Sequence, residues 1–137
     1  MTAIKRLVLC MTFLVLALAS QVSFAGELLV RHSVLLAESD GGVVQGTVEV
    51  FVWNQTSGDF DNVDLRVNHP GVYSIGKHNL LQLGSIPAGE ARVHLASFMF
   101  SEEFFASKEP IIWSIDYDDA TGQHEKMEVS SIQEDVQ

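Results

Sequence analysis

Between Val43 and Asn54 the chain alternates Val44, Gly46, Val48, Val50 and Val52 with Gln45, Thr47, Glu49, Phe51 and Trp53. Successive side chains of a strand point to opposite faces, so this period of two with β-branched residues predicts a strand. Its valine phase faces a core. The other phase begins polar and ends in two aromatics, and Asn54-Gln55-Thr56-Ser57-Gly58-Asp59 supplies the turn that follows.

The same alternation recurs along the chain. Residues 27–38 place Leu28, Val30, His32, Val34 and Leu36 on one face, while Leu29 and Leu35 break the period and predict a bulge or a switch of sheet. Residues 60–68 put Val63, Leu65 and Val67 inward and Asn62, Asp64, Arg66 and Asn68 outward. A weak segment at 73–77 and a short strand at 80–86 come next, the latter containing Leu83 and closed by Pro87-Ala88-Gly89-Glu90. For residues 91–100 the predicted core side is Ala91, Val93, Leu95 and Met99, with Arg92, His94, Ala96, Phe98 and Phe100 outward. Ser101-Glu102-Glu103 has the capping hydroxyl and first-turn acids of a helix start, and Pro110 limits that helix to one or two turns. Residues 111–117 turn Ile111, Trp113, Ile115 and Tyr117 inward. A hairpin through Asp118-Asp119-Ala120-Thr121-Gly122 leads to a last strand with Met127 and Val129 inward. Residues 131–137 are polar and are expected to fray.

About seven strands with frequent turn signals and no long helix predict an all-β fold, an immunoglobulin-like β-sandwich of antiparallel strands. Residues 1–25 stand apart from it. Lys5 and Arg6 precede an apolar run from Leu7 to Leu18, and Ser23-Phe24-Ala25 offers small residues for cleavage. That run is shorter than the roughly 20 residues of a membrane-spanning helix, so a cleavable signal peptide is expected, followed by one domain at 26–137. Cys10, the only cysteine, lies in the leader. The exported domain is then without disulfides and relies on its hydrophobic core.

Three pieces of sequence, VEVFVWNQTSGDFDNVDLRV, LGSIPAGEARVHLASF and WSIDYDDATG, resemble the immunoglobulin-like and fibronectin-type domains of exported bacterial proteins, nearest the cell-adhesion-related domain of bacteria. The resemblance spans most of 43–129 and consists of turns and core positions. It implies a sandwich fold and no shared catalytic residues, while the bacterial style of the leader points to the periplasm or to secretion.

The net charge of −10 grows two units more negative without Lys5 and Arg6, which opposes binding to nucleic acid or to anionic membranes. No nucleophile elbow, zincin motif or phosphate-binding glycine loop is present, so the sequence points away from an enzyme and implies no cofactor. Asp116, Asp118 and Asp119 carry oxygen ligands on one hairpin, which makes weak calcium binding the alternative reading, although the same residues satisfy turn chemistry. His32, His69, His78, His94 and His124 are scattered singly. The Asn54-Gln55-Thr56 sequon is read as a turn. The chemistry left is aromatic. Phe51, Trp53, His94, Phe98 and Phe100 are expected to share an outward face that binds a protein partner or a second copy, unless the 101–110 loop or the first strand covers it. A structural subunit of a surface assembly is a further reading.

Overall fold

The computed structural model describes residues 28–134; the expected leader and its cleavage site lie outside them. The chain forms β1 (Leu28–Asp40), β2 (Val43–Asn54), β3 (Phe60–Val67), β4 (Val72–Ile75), β5 (Leu80–Ile86), β6 (Ala91–Ser101), a short helix α1 (Glu102–Ser107), β7 (Ile111–Asp118), β8 (His124–Ser131) and β9 (Gln133–Glu134). Two sheets result, one in the order β4-β6-β2-β1-β9 and the other β5-β3-β7-β8. The fold is therefore all-β and sandwich-like, with nine strands where about seven are expected. The additions are β4, which pairs with β6, and β9, which runs parallel to β1.

β2 is the middle strand of its sheet, and Val44, Val48, Val50 and Val52 are buried. From the other sheet come Val63, Leu65 and Val67 of β3 and Ile111, Trp113, Ile115 and Tyr117 of β7, all buried as their alternation predicts. Met127 and Val129 pack against this core, half-buried. Leu83 is also only half-buried. Its neighbour Gly84 has φ +69°, and the β3–β5 register shifts beside it, so the inward phase passes from Leu81 to Ile86.

The expected facing of β6 is reversed. Val93 and Leu95 are 58% and 59% exposed, whereas Phe98 and Phe100 are 1% and 2% exposed. The register explains this, because residues opposite one another on paired strands share a face. β2 and β6 pair Val44 with Phe100, Val48 with Ala96 and Val50 with His94, so β2's core phase carries the even-numbered residues of β6 inward with it. Both phases of β6 are apolar, and alternation alone does not choose between them.

The expected bulge in β1 lies between Val34 and Leu36. It moves Leu36 to the solvent side, although Leu28, Val30 and His32 before it are buried as predicted. Gly46 makes the bulge possible, since a Cβ there would fall 1.9 Å from the Leu36 carbonyl oxygen. The chain end also differs from expectation. Ser131 is buried, and Gln133 and Glu134 pair with His32 and Ser33 instead of fraying. Residues 135–137 lie outside the described residues.

Candidate interaction face

The outer surface of the five-stranded sheet is built by register. Phe51 lies opposite Val93, Glu49 opposite Leu95, Trp53 opposite Ala91 and Gln45 opposite Met99. On β2's other side, Phe51 faces Arg31 and Trp53 faces Leu29. Phe51, Trp53, Val93 and Leu95 therefore form one apolar patch across two neighbouring strands, with Met99 further along β6. Trp53 is 37% exposed, and its Nε1 donates to the Gly89 carbonyl at 3.1 Å, which ties the indole to the Pro87–Glu90 turn. With its polar atom satisfied by its own chain, the ring's apolar surface is what it offers outward.

Of the residues expected to make this face, Phe51 and Trp53 are on it. His94 lies on the inner phase, half-buried, and Phe98 and Phe100 belong to the core. Val93, Leu95 and Met99 take their places. The signal that would have found them is the pairing partner of each β2 residue, which the sequence of β6 does not reveal.

The 101–110 segment does not lie over Trp53. Ser101 caps α1 by accepting from the Phe104 amide at 3.1 Å, and Lys108 ends the helix with φ 53°. This directs Phe104 into the end of the sandwich, where it meets Phe100 edge-on at 5.4 Å and the His69 ring at 4.6 Å. Phe105 stacks toward Phe98 at 6.3 Å, and Phe98 in turn stacks on Phe100 at 4.3 Å. The helix thus closes one end of the core. The Glu102 amide donates to Gly42 at 3.0 Å and the Ser39 hydroxyl donates to the Glu102 carboxylate, which anchors the β1–β2 hairpin to it. β1 lies edge to edge with β2 and does not cover it. Among the described residues no segment overlies the patch.

The opposite outer face is mostly polar, with Asp64, Ser114, Asp116, Asp118, His124, Lys126 and Glu128 at its centre and the exposed Ile112 toward one end. His124 sits between two carboxylates, its Nδ1 3.1 Å from Asp118 Oδ1 and its Nε2 3.3 Å from Asp116 Oδ1. The Asp118 contact, with help from Asp116, raises the His124 pKa above its ordinary value. Asp118 is held below the usual carboxylate range by the Asn62 amide at 2.9 Å and then by His124. Asp119 is lowered by the Thr121 hydroxyl at 2.6 Å and by the Gln123 amide, both of which fix the hairpin. These carboxylates are engaged with the turn, an amide and a histidine. Among the described residues no three His, Cys, Asp or Glu side chains are grouped to hold a metal ion.

Two polar clusters are buried. Asn54 donates to the Gly58 and Ile86 carbonyls at 2.8 and 2.9 Å and accepts from the Thr56 amide and hydroxyl at 3.0 and 2.7 Å. It is a corner post, and its side chain is closed to glycosylation in the folded protein. At the other site the Trp113 Nε1 donates to Ser131 Oγ at 2.7 Å, and Ser131 Oγ lies 2.6 Å from His32 Nδ1. Burial pushes the His32 pKa down to about 4.

No protein-family model and no curated protein sequence matches the chain. Among solved structures, the chain is similar to a GH20 exo β-N-acetylglucosaminidase from Vibrio harveyi in complex with N-acetylglucosamine, at 14% identity and TM-score 0.48, over 81% of this chain and 18% of that one. It is also similar to the structural genomics target SoR45, at 11% identity and TM-score 0.41, over 75% and 80% of the two chains. The sporulation control protein Spo0M from Bacillus subtilis aligns at 19% identity and TM-score 0.29, over 80% and 50%. The chain thus spans under a fifth of the glycosidase. These likenesses concern the fold alone.

Proposed function

We propose that this chain is a non-enzymatic, exported interaction module of immunoglobulin-like type, which binds another protein, or a second copy of itself, through the outer face of its five-stranded sheet. One observation carries the reading. The half-buried Phe51 and the exposed Trp53, Val93 and Leu95 lie together on the outer surface of the sheet, which no described segment overlies. Soluble domains rarely leave several large apolar side chains bare in one place without a use for them. Aromatic residues with a polar tip, such as Trp53, are the usual anchors of such interfaces. The contrast with the polar face of the other sheet supports the same choice of side. Export rests on the basic, apolar and small-residue pattern of residues 1–25.

Trp53→Ser tests the reading. Partner capture from the native envelope, or dimer formation in sedimentation, should be lost with a shift in melting temperature of only a few degrees. Retained capture and an unchanged oligomeric state would remove the face from consideration. Intact-mass measurement of the native product should show a chain beginning at Gly26.

A further inference from the structure

The second buried polar cluster sits where the chain changes sheets. Ser131 is the last residue of β8 in one sheet, and Gln133 is the first of β9 in the other. Between them the chain crosses the side of the sandwich, and Ser131 Oγ is fixed there by Trp113 of its own sheet and His32 of the opposite one. Beyond that crossing, β9 is held to β1 by pairing at only two positions, His32 with Gln133 and Ser33 with Glu134. One surface ion pair adds to this, Arg31 Nε to Glu134 Oε1 at 3.6 Å, with both side chains about half exposed. Exposed pairs of this kind contribute little. The buried hydrogen bonds are therefore the main polar attachment of the terminal strand.

Ser131 Oγ accepts from the Trp113 indole, which can only donate, and its second lone pair and its proton let the contact with His32 Nδ1 run in either direction. Burial keeps the His32 ring neutral. Protonation makes both ring nitrogens donors, so Ser131 Oγ must then accept from Trp113 and His32 together and turn its own proton elsewhere. It also places a positive charge in a site with nothing to balance it. The residues opposite His32 are Val50 on β2 and Gln133 on β9, and the other sheet presents Trp113 and Ser131. Of the nearby charged groups, Arg31 and Glu134 pair with each other at the surface. Glu49 lies opposite Ser33, on the outer side of the sheet with Phe51. No described charged side chain faces the ring.

We propose that His32, Ser131 and Trp113 form an acid-sensitive clasp whose protonation at His32 releases the crossing segment and β9, baring the edge of β1 at His32 and Ser33. The exposed backbone of β1 would then be open to an incoming strand, the mode in which sheet edges take up peptides. Desolvation opposes protonation while the clasp is closed, and an opened His32 returns toward its ordinary value. With the ring at about 4 when closed and 6.5 when exposed, linkage makes the open form roughly twentyfold more populated at pH 5 than at pH 7.

Hydrogen exchange on the full chain tests this, read as protection factors so that the intrinsic pH dependence of exchange is removed. Protection of Gln133 and Glu134 should fall by about twentyfold from pH 7 to pH 5, while that of Val48, Val50 and Val52 should fall far less. In His32→Gln, which keeps a hydrogen-bonding side chain but does not titrate, this loss should disappear. Equal protection at both pH values, or the same loss in His32→Gln, would overturn the clasp. If His32→Gln does not fold, the ring titration of the wild-type chain decides. A His32 midpoint well below the ordinary value, moving with the β9 amides, supports the proposal, and an ordinary midpoint refutes it.

Discussion

Single residues carry much of the fold's specificity. Asn54 satisfies two carbonyls, an amide and a hydroxyl at one corner. Asn54→Ala would leave buried partners unpaired and should cost about 3 kcal/mol in denaturant unfolding. Its sequence neighbours announce a turn, but nothing in the string shows that its amide reaches Ile86, 32 residues away. His32 makes the stability of the chain pH-dependent. Its folded pKa is depressed, so the unfolded chain binds the extra proton first as pH falls, and stability is lost between 6.5 and about 4. The full span is worth about 3 kcal/mol. His124 works in the opposite sense. Its raised pKa gives a contribution present below its ordinary value and lost as pH rises through the folded one. Equilibrium unfolding at pH 7 and pH 5 should show a net loss at the lower pH, one that His32→Gln reduces.

At the scale of elements, what the sequence makes legible depends on whether its two phases differ. β3 and β7 alternate apolar with polar residues and face as predicted. β6 is apolar on both phases, and its facing is set by pairing with β2, which a local pattern does not contain. Site residues inherit that difference. Phe51 and Trp53 are legible because the opposite phase of β2 is filled with valine, while Val93 and Leu95 are not. The β1 bulge is legible as a break in period, but its dependence on Gly46 of the facing strand is not. Gly46→Ala should destabilise the chain by about 3 kcal/mol, since the clash is with backbone. Amide exchange should quicken first in β1 beyond Leu36. Trp113 is fully buried, and Trp113→Ala should cost about 3–5 kcal/mol in the same assay.

For the molecule as a whole, the two outer faces differ in kind. One is a charged surface in which Asp116, Asp118, His124 and Lys126 pair with one another, and the other is an apolar patch centred on Phe51 and Val93. Helix α1 fills the end of the core with Phe104 and leaves that patch uncovered. The proposed role follows from this asymmetry, and it rests on β6 turning Leu95 outward and Phe98 inward. Comparing Leu95→Ser with Phe98→Ser in one thermal-melting and partner-capture experiment tests that claim most directly. Leu95→Ser should leave the melting temperature nearly unmoved and abolish capture or dimer formation, while Phe98→Ser should lower the melting temperature sharply. A collapse of stability in Leu95→Ser, with Phe98→Ser tolerated, would contradict the account.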